Sequence, residues 1–191
     1  MAEDEITVRA SRRIVITGFM GAGKTSVGRE LARLLDCGFV DLDDLITARE
    51  GRTPQALIDE EGEPAFREIE TRALDEVLRE NSARVVALGG GAWALERNRA
   101  LVVAHACLTV WLDAPFELCW RRIESEVDGS RQRSRPLARD EWLARKLYDA
   151  RRDSYRLADA RIAVGDDETA RKLAGRIAGA LEKGERETEG A

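Results

Sequence analysis

The stretch that most constrains this chain is Gly18-Phe-Met-Gly-Ala-Gly-Lys-Thr25, which follows the β-branched run Ile14-Val-Ile-Thr17 and opens a segment of helical spacing. It matches G-x-x-x-x-G-K-[ST], in a strand-to-helix context. Glycines there let the backbone bend until several N–H groups converge on phosphate oxygens; Lys24 supplies charge to the β/γ-phosphates, and the Thr25 hydroxyl is a ligand for Mg²⁺. The positive end of the helix from Thr25 to Leu35 adds a field that favours an anion. Gly21, Ala22, Gly23, Lys24, Thr25 and Ser26 are therefore the expected nucleotide-binding residues. The motif leaves open whether the terminal phosphate goes to water, to a protein or to a small molecule.

Short apolar or β-branched runs recur at Arg13–Thr17, Gly38–Leu42, Arg84–Leu88, Leu108–Leu112 and Arg161–Val164, with longer segments of helical spacing between them. Strands alternating with helices imply crossover connections and a mostly parallel sheet covered on both faces, an α/β three-layer architecture. Thr53-Pro54 reads as a helix N-cap with proline at the first helical position, and Pro64 opens the next helix. With 191 residues the chain suits a single domain spanning 1–191, with a core at about 13–177 and charged, flexible tails at Met1–Ser11 and Glu182–Ala191.

A net charge of -5 and a pI near 5.2 argue against a general nucleic-acid binder. Cys37, Cys107 and Cys119 are scattered through apolar segments and read as buried thiols in a reducing compartment. The acidic N-terminus lacks the order of a secretory signal, and no apolar run reaches membrane-spanning length, so a cytoplasmic protein without membrane contact is expected.

Asp41-Leu42-Asp43 closes the second expected strand. By the period-2 rule its two carboxylates share a face, at the strand end that borders the crevice of an open parallel sheet. One carboxylate suits Mg²⁺ through water; the other suits an acceptor hydroxyl; Asp44 reads as the cap of the next helix. Gly89-Gly90-Gly91 follows the third strand and fits either a close ligand approach or a sharp turn. Arg67 reads either as an anion ligand or as an ion-pair partner of Glu70. The segment Asp128–Pro136 holds Arg131, Arg133 and Arg135 among Gly and Ser, a basic loop suited to closing over phosphates. His105 and the four tryptophans read as packing or surface residues, with Trp93 near enough to the triple glycine to border the crevice.

Taken in order, Gly18-x-x-Gly21-x-Gly23-Lys24-Thr25, Asp41-x-Asp43, Gly62-Glu63-x-x-Phe66-Arg67-x-x-Glu70, Gly89-Gly90-Gly91, Arg135-Pro136-Leu137 and Arg151-x-x-x-Tyr155 resemble the shikimate kinase family from about Arg13 to Ile177. The resemblance implies a P-loop kinase fold of the nucleoside monophosphate kinase type, with a five-stranded parallel sheet in order 2-3-1-4-5 and a mobile lid at about 124–138. It implies transfer of phosphate from ATP, with Mg²⁺, to the 3-hydroxyl of shikimate in aromatic amino-acid biosynthesis, by a monomer.

By the same resemblance Asp43 is the acid that meets the acceptor hydroxyl, and Asp41 and Thr25 lie at the metal. Arg67, Arg151, Gly89, Gly90 and Gly91 form the shikimate site, Arg122 lies against adenine, and Arg135 is the lid arginine that joins Lys24 on the phosphates. Arg131 and Arg133 rival Arg135 in an extended lid, and Ile58 stands where an aromatic often lines the acceptor pocket. Two other readings stay open: a kinase for another carboxylated polyol such as gluconate, and a catalytically silent nucleotide-binding relative.

Overall fold

The computed structural model describes residues 12–80, 83–128 and 140–189, with side chains at 12–80, 83–125 and 140–181. Its centre is β1 (Ile14–Thr17), every residue of which is buried. It lies between β3 (Val85–Ala87) and β4 (Leu108–Asp113), with Ile14 opposite both Val85 and Leu108. A strand of β-branched residues buried on both faces is what a covered parallel sheet requires. Each such side chain contributes about 1.5–3 kcal/mol of burial.

With β2 (Phe39–Asp41) beside β3 and β5 (Ala160–Ala163) beside β4, all the pairings are parallel and the order is β2-β3-β1-β4-β5. The strands lie within one residue of their expected ends. The order matches the expectation drawn from the resemblance.

The helices are α1 (Lys24–Leu34), α2 (Leu42–Glu50), α3 (Pro54–Glu61), α4 (Glu63–Glu80), α5 (Glu96–Ala104), α6 (Phe116–Asp128), α7 (Glu141–Tyr155) and α8 (Ala170–Glu189). α1 packs on α8, while α4 packs against α2, α3 and α5. Thr53 caps α3 as expected, its side chain accepting from the Ala56 N–H with Pro54 in the first turn.

The chain leaves β1, reaches β2 on the far side of β3, and later turns to β4 on the opposite side of β1. That reversal opens a crevice beyond the carboxyl ends of the strands, where the Gly18 loop, Asp41 and the triple glycine all emerge.

Four local expectations need correction. The strand β2 ends at Asp41 and a helix starts at Leu42, so the period-2 argument does not govern Asp41 and Asp43. Asp41, not Asp44, is the N-cap: its Oδ1 accepts from the Asp43 and Asp44 N–H groups at 3.0 and 3.4 Å. Residues 124–128, assigned to the lid from sequence, are the last turn of α6, and α8 carries helix on to Glu189. The remainder of the lid segment, including Arg131, Arg133 and Arg135, lies outside the described residues.

Candidate active site

The loop after β1 is shaped by backbone. Gly23, at φ +94°, is the N-cap of α1 in the left-handed region that glycine adopts without a Cβ penalty, and no side chain caps the helix. The first turn of α1 carries no acidic residue, so its positive end meets no carboxylate of its own. The Ala22 N–H donates to the Phe19 carbonyl, as does the Lys24 ammonium, at 3.2 and 3.0 Å. From α6, the Arg122 guanidinium donates to the Gly21 carbonyl at 3.2 Å, which places this residue over the loop. Gly21, Ala22, Gly23, Lys24, Thr25 and Ser26 all line one cavity of about 660 Å³.

At the edge of the loop the Thr25 hydroxyl donates to Asp41 Oδ2 at 2.5 Å. A hydroxyl and a carboxylate are the hard oxygen donors that Mg²⁺ takes, with water and phosphate filling its remaining positions. The residues present thus fit the metal. Among the described residues no group of three or more His, Cys, Asp or Glu side chains is placed to hold a metal ion.

Across the cavity the opposite wall is built from side chains of separate elements. Asp43, in the first turn of α2, puts its Oδ1 2.6 Å from the point where a Cβ on Gly89 would lie. Glu70 Oε1, from α4, lies 3.1 Å from the same point. Above Gly91, Arg67 Nη2 and Arg151 Nη2 stand 2.6 and 2.9 Å from the corresponding point, so any side chain there would displace both guanidiniums. The triple glycine is therefore a floor on which two carboxylates and two cations rest, and it is also close to the phosphate loop, 3.3 Å from Gly90 to the Met20 nitrogen by the same measure.

Electrostatics decide what that floor can hold. Arg67 donates to Glu70 Oε2 and to Glu63 Oε1, each at 2.8 Å. Burial works against its cation, but the two carboxylates outweigh it and raise the guanidinium above its ordinary value. Glu70 is 1% exposed, and burial raises its carboxyl despite Arg67, with the Asp43 charge adding to the rise. For Arg151 burial lowers the guanidinium; Tyr155 opposes this and the like charge of Arg67 adds to it. Two guanidiniums converging on one point repel unless an anion lies between them. A ligand carboxylate held by planar forks satisfies both.

A sequence model described as shikimate kinase matches residues 20–182. A shikimate kinase of Caulobacter vibrioides is 37% identical over 169 residues, covering 87% of this chain and 80% of the relative. One from Geobacter sulfurreducens is 43% identical over 155 residues, covering 79% and 81%. The structure of the Acinetobacter baumannii shikimate kinase in complex with shikimate superposes with a TM-score of 0.82 at 34% identity, covering 94% of this chain and 98% of that one. This chain belongs to the shikimate kinase family. It is accordingly a phosphotransferase of the P-loop kinase fold.

Within that family frame, the structure separates two adjacent arginines. Arg151 faces the cavity, whereas Arg152 turns to the other side of α7, donating to the Tyr148 hydroxyl at 3.1 Å and pairing with Asp113 at 3.5 Å. Ile58 does line the cavity. Trp93 is buried, its indole N–H donating to the Ser154 carbonyl at 2.9 Å, and His105 is exposed at the end of α5.

Sequence reasoning left two residues without a role. Glu70 had a signal, its spacing of three from Arg67, but the same spacing marks ordinary surface pairs. Tyr155 had served only as a landmark for Arg151.

Proposed function

We propose that the protein transfers the γ-phosphoryl group of ATP to the 3-hydroxyl of shikimate, giving shikimate 3-phosphate and ADP in the synthesis of aromatic amino acids. The observation that carries this reading is the convergence of Arg67 and Arg151 on Gly91, in one cavity with Asp43 and the phosphate loop. The guanidinium pair takes the ring carboxylate, with Gly89, Gly90 and Gly91 as the floor, and Asp43 then meets a ring hydroxyl on the opposite side. Held by its carboxylate, the acceptor presents one hydroxyl to the base and to the nucleotide, and positioning supplies much of the rate.

Phosphoryl transfer asks the protein for alignment and charge neutralisation more than for covalent help. Asp43 orients the attacking hydroxyl and takes its proton. Lys24 moves its ammonium from the Phe19 carbonyl to the phosphate oxygens, and the backbone N–H groups from Gly21 to Ser26 hold the β-phosphate. Thr25 and Asp41 would hold Mg²⁺, which would supply charge neutralisation at the phosphates. Arg122 lies toward the adenine; Arg135, which the resemblance assigns to the phosphates, is outside the described residues. In this reading 1–191 is one kinase domain acting as a cytoplasmic monomer without nucleic-acid or membrane partners. No helix among the described residues is long and apolar enough to cross a membrane.

The test is ADP release from Mg²⁺-ATP with shikimate, quinate or gluconate as acceptor. Stimulation by shikimate alone is expected. Stimulation by gluconate instead would reassign the acceptor, and nucleotide binding with no stimulation by any acceptor would mark a silent relative.

A further inference from the structure

Tyr155 closes α7 one turn after Arg151, so the two side chains share a helix face. Its ring is 1% exposed and stacks on Trp111, with centroids 6.0 Å apart and planes at 27°. Trp111 is in turn flanked by the Arg152 and Arg161 guanidiniums at 5.6 and 5.4 Å, both of which pair with Asp113. This packing holds the ring and needs no hydroxyl.

The hydroxyl makes its own contacts. It donates to the Gly90 carbonyl at 2.6 Å and lies in the field of the Arg151 guanidinium, the largest influence that opposes the effect of burial on the phenol. A carbonyl only accepts and a guanidinium only donates; a phenol oxygen can serve both neighbours, whereas a benzyl ring serves neither. Burial pushes the phenol up to about 12, which keeps its proton in place for Gly90.

The Gly90 carbonyl and the Gly91 N–H belong to one planar trans peptide, and the described residues hold no cis bond. Fixing the carbonyl toward Tyr155 therefore fixes the Gly91 N–H on the opposite side. One hydroxyl thus sets both the guanidinium and the peptide plane.

We propose that Tyr155 is a positioning residue for the acceptor, its hydroxyl locking the Arg151 guanidinium and the Gly90–Gly91 peptide into a single unit that receives the acceptor carboxylate. The inference rests on the acceptor reading above and extends it to a residue that touches no substrate.

The test is Tyr155→Phe, which keeps the stacked ring and removes only the hydroxyl. KM for shikimate is expected to rise about tenfold, the scale of one hydrogen bond to a charged group, while KM for ATP stays within about twofold. In an Arg151→Ala background the same change is expected to cost clearly less than about tenfold in kcat/KM for shikimate, because only the Gly90–Gly91 peptide is left for the hydroxyl to hold. An unchanged KM for shikimate in Tyr155→Phe, or equal losses for both substrates with a lowered Tm, would overturn the proposal while leaving the acceptor reading intact. A full tenfold effect persisting without Arg151 would also overturn it. Wild-type protein that shows no shikimate-stimulated turnover would overturn the acceptor reading and this inference together.

Discussion

The two sides of the crevice, proposed for nucleotide and for acceptor, are made in different ways. The first is one continuous stretch, Met20 to Ser26, that lines the cavity and runs into the N-terminus of α1. The second draws Asp43 from α2, Arg67 and Glu70 from α4, the triple glycine from the end of β3, and Arg151 and Tyr155 from α7. A site made of backbone recognises what all nucleotides share, their phosphates. A site made of converging side chains recognises one molecule, and it can be retuned one residue at a time.

The sharpest way to break this contrast is to strike each side at its reacting group. Asp43→Asn is expected to lower kcat by about 10³-fold with ATP affinity within about twofold of wild type, as read by steady-state kinetics and nucleotide titration. Lys24→Met is expected to lower kcat by about 10²–10³-fold with shikimate affinity retained. Loss of both ligands in either variant would mean that the two sides are not separable.

A smaller effect sharpens the contrast. Gly91→Ala leaves the backbone path intact but puts a methyl group where Arg67 and Arg151 lie 2.6 and 2.9 Å away. Both guanidiniums must shift, so KM for shikimate is expected to rise about tenfold with that for ATP unchanged. Equal kinetics for variant and wild type would show that these arginines do not set the acceptor's position.

The same division explains how much could be read from sequence. The phosphate loop is local, so its residues and its strand-to-helix setting were legible from one window of the chain, as were the five strands and the cap at Thr53. The sheet order came from family resemblance, as did the residues proposed for the acceptor, because nothing in the spacing of Asp43, Arg67, Gly91 and Arg151 announces that they meet. Asp43 did reach the crevice, though by a helix turn rather than by strand alternation: the early cap at Asp41 ends β2 before periodicity can act.

Glu70 illustrates a different limit. An Arg–Glu pair three apart on a helix looks like surface decoration, and only the packed structure reveals a carboxylate 1% exposed beside Asp43 and Arg67. Tyr155 likewise gains a role only when its hydroxyl is found on the Gly90 carbonyl. Burial and convergence are properties of the fold, and short sequence windows do not carry them.

The most direct measurement is a pair of calorimetric titrations of Arg67→Ala, with shikimate and with ATP, beside wild type. The account predicts that shikimate affinity falls by about 30-fold or more, the cost of a lost charge-assisted pair, with ATP affinity held within about twofold. Retention of shikimate affinity, or a loss shared equally by ATP, would contradict an acceptor site built on these converging guanidiniums.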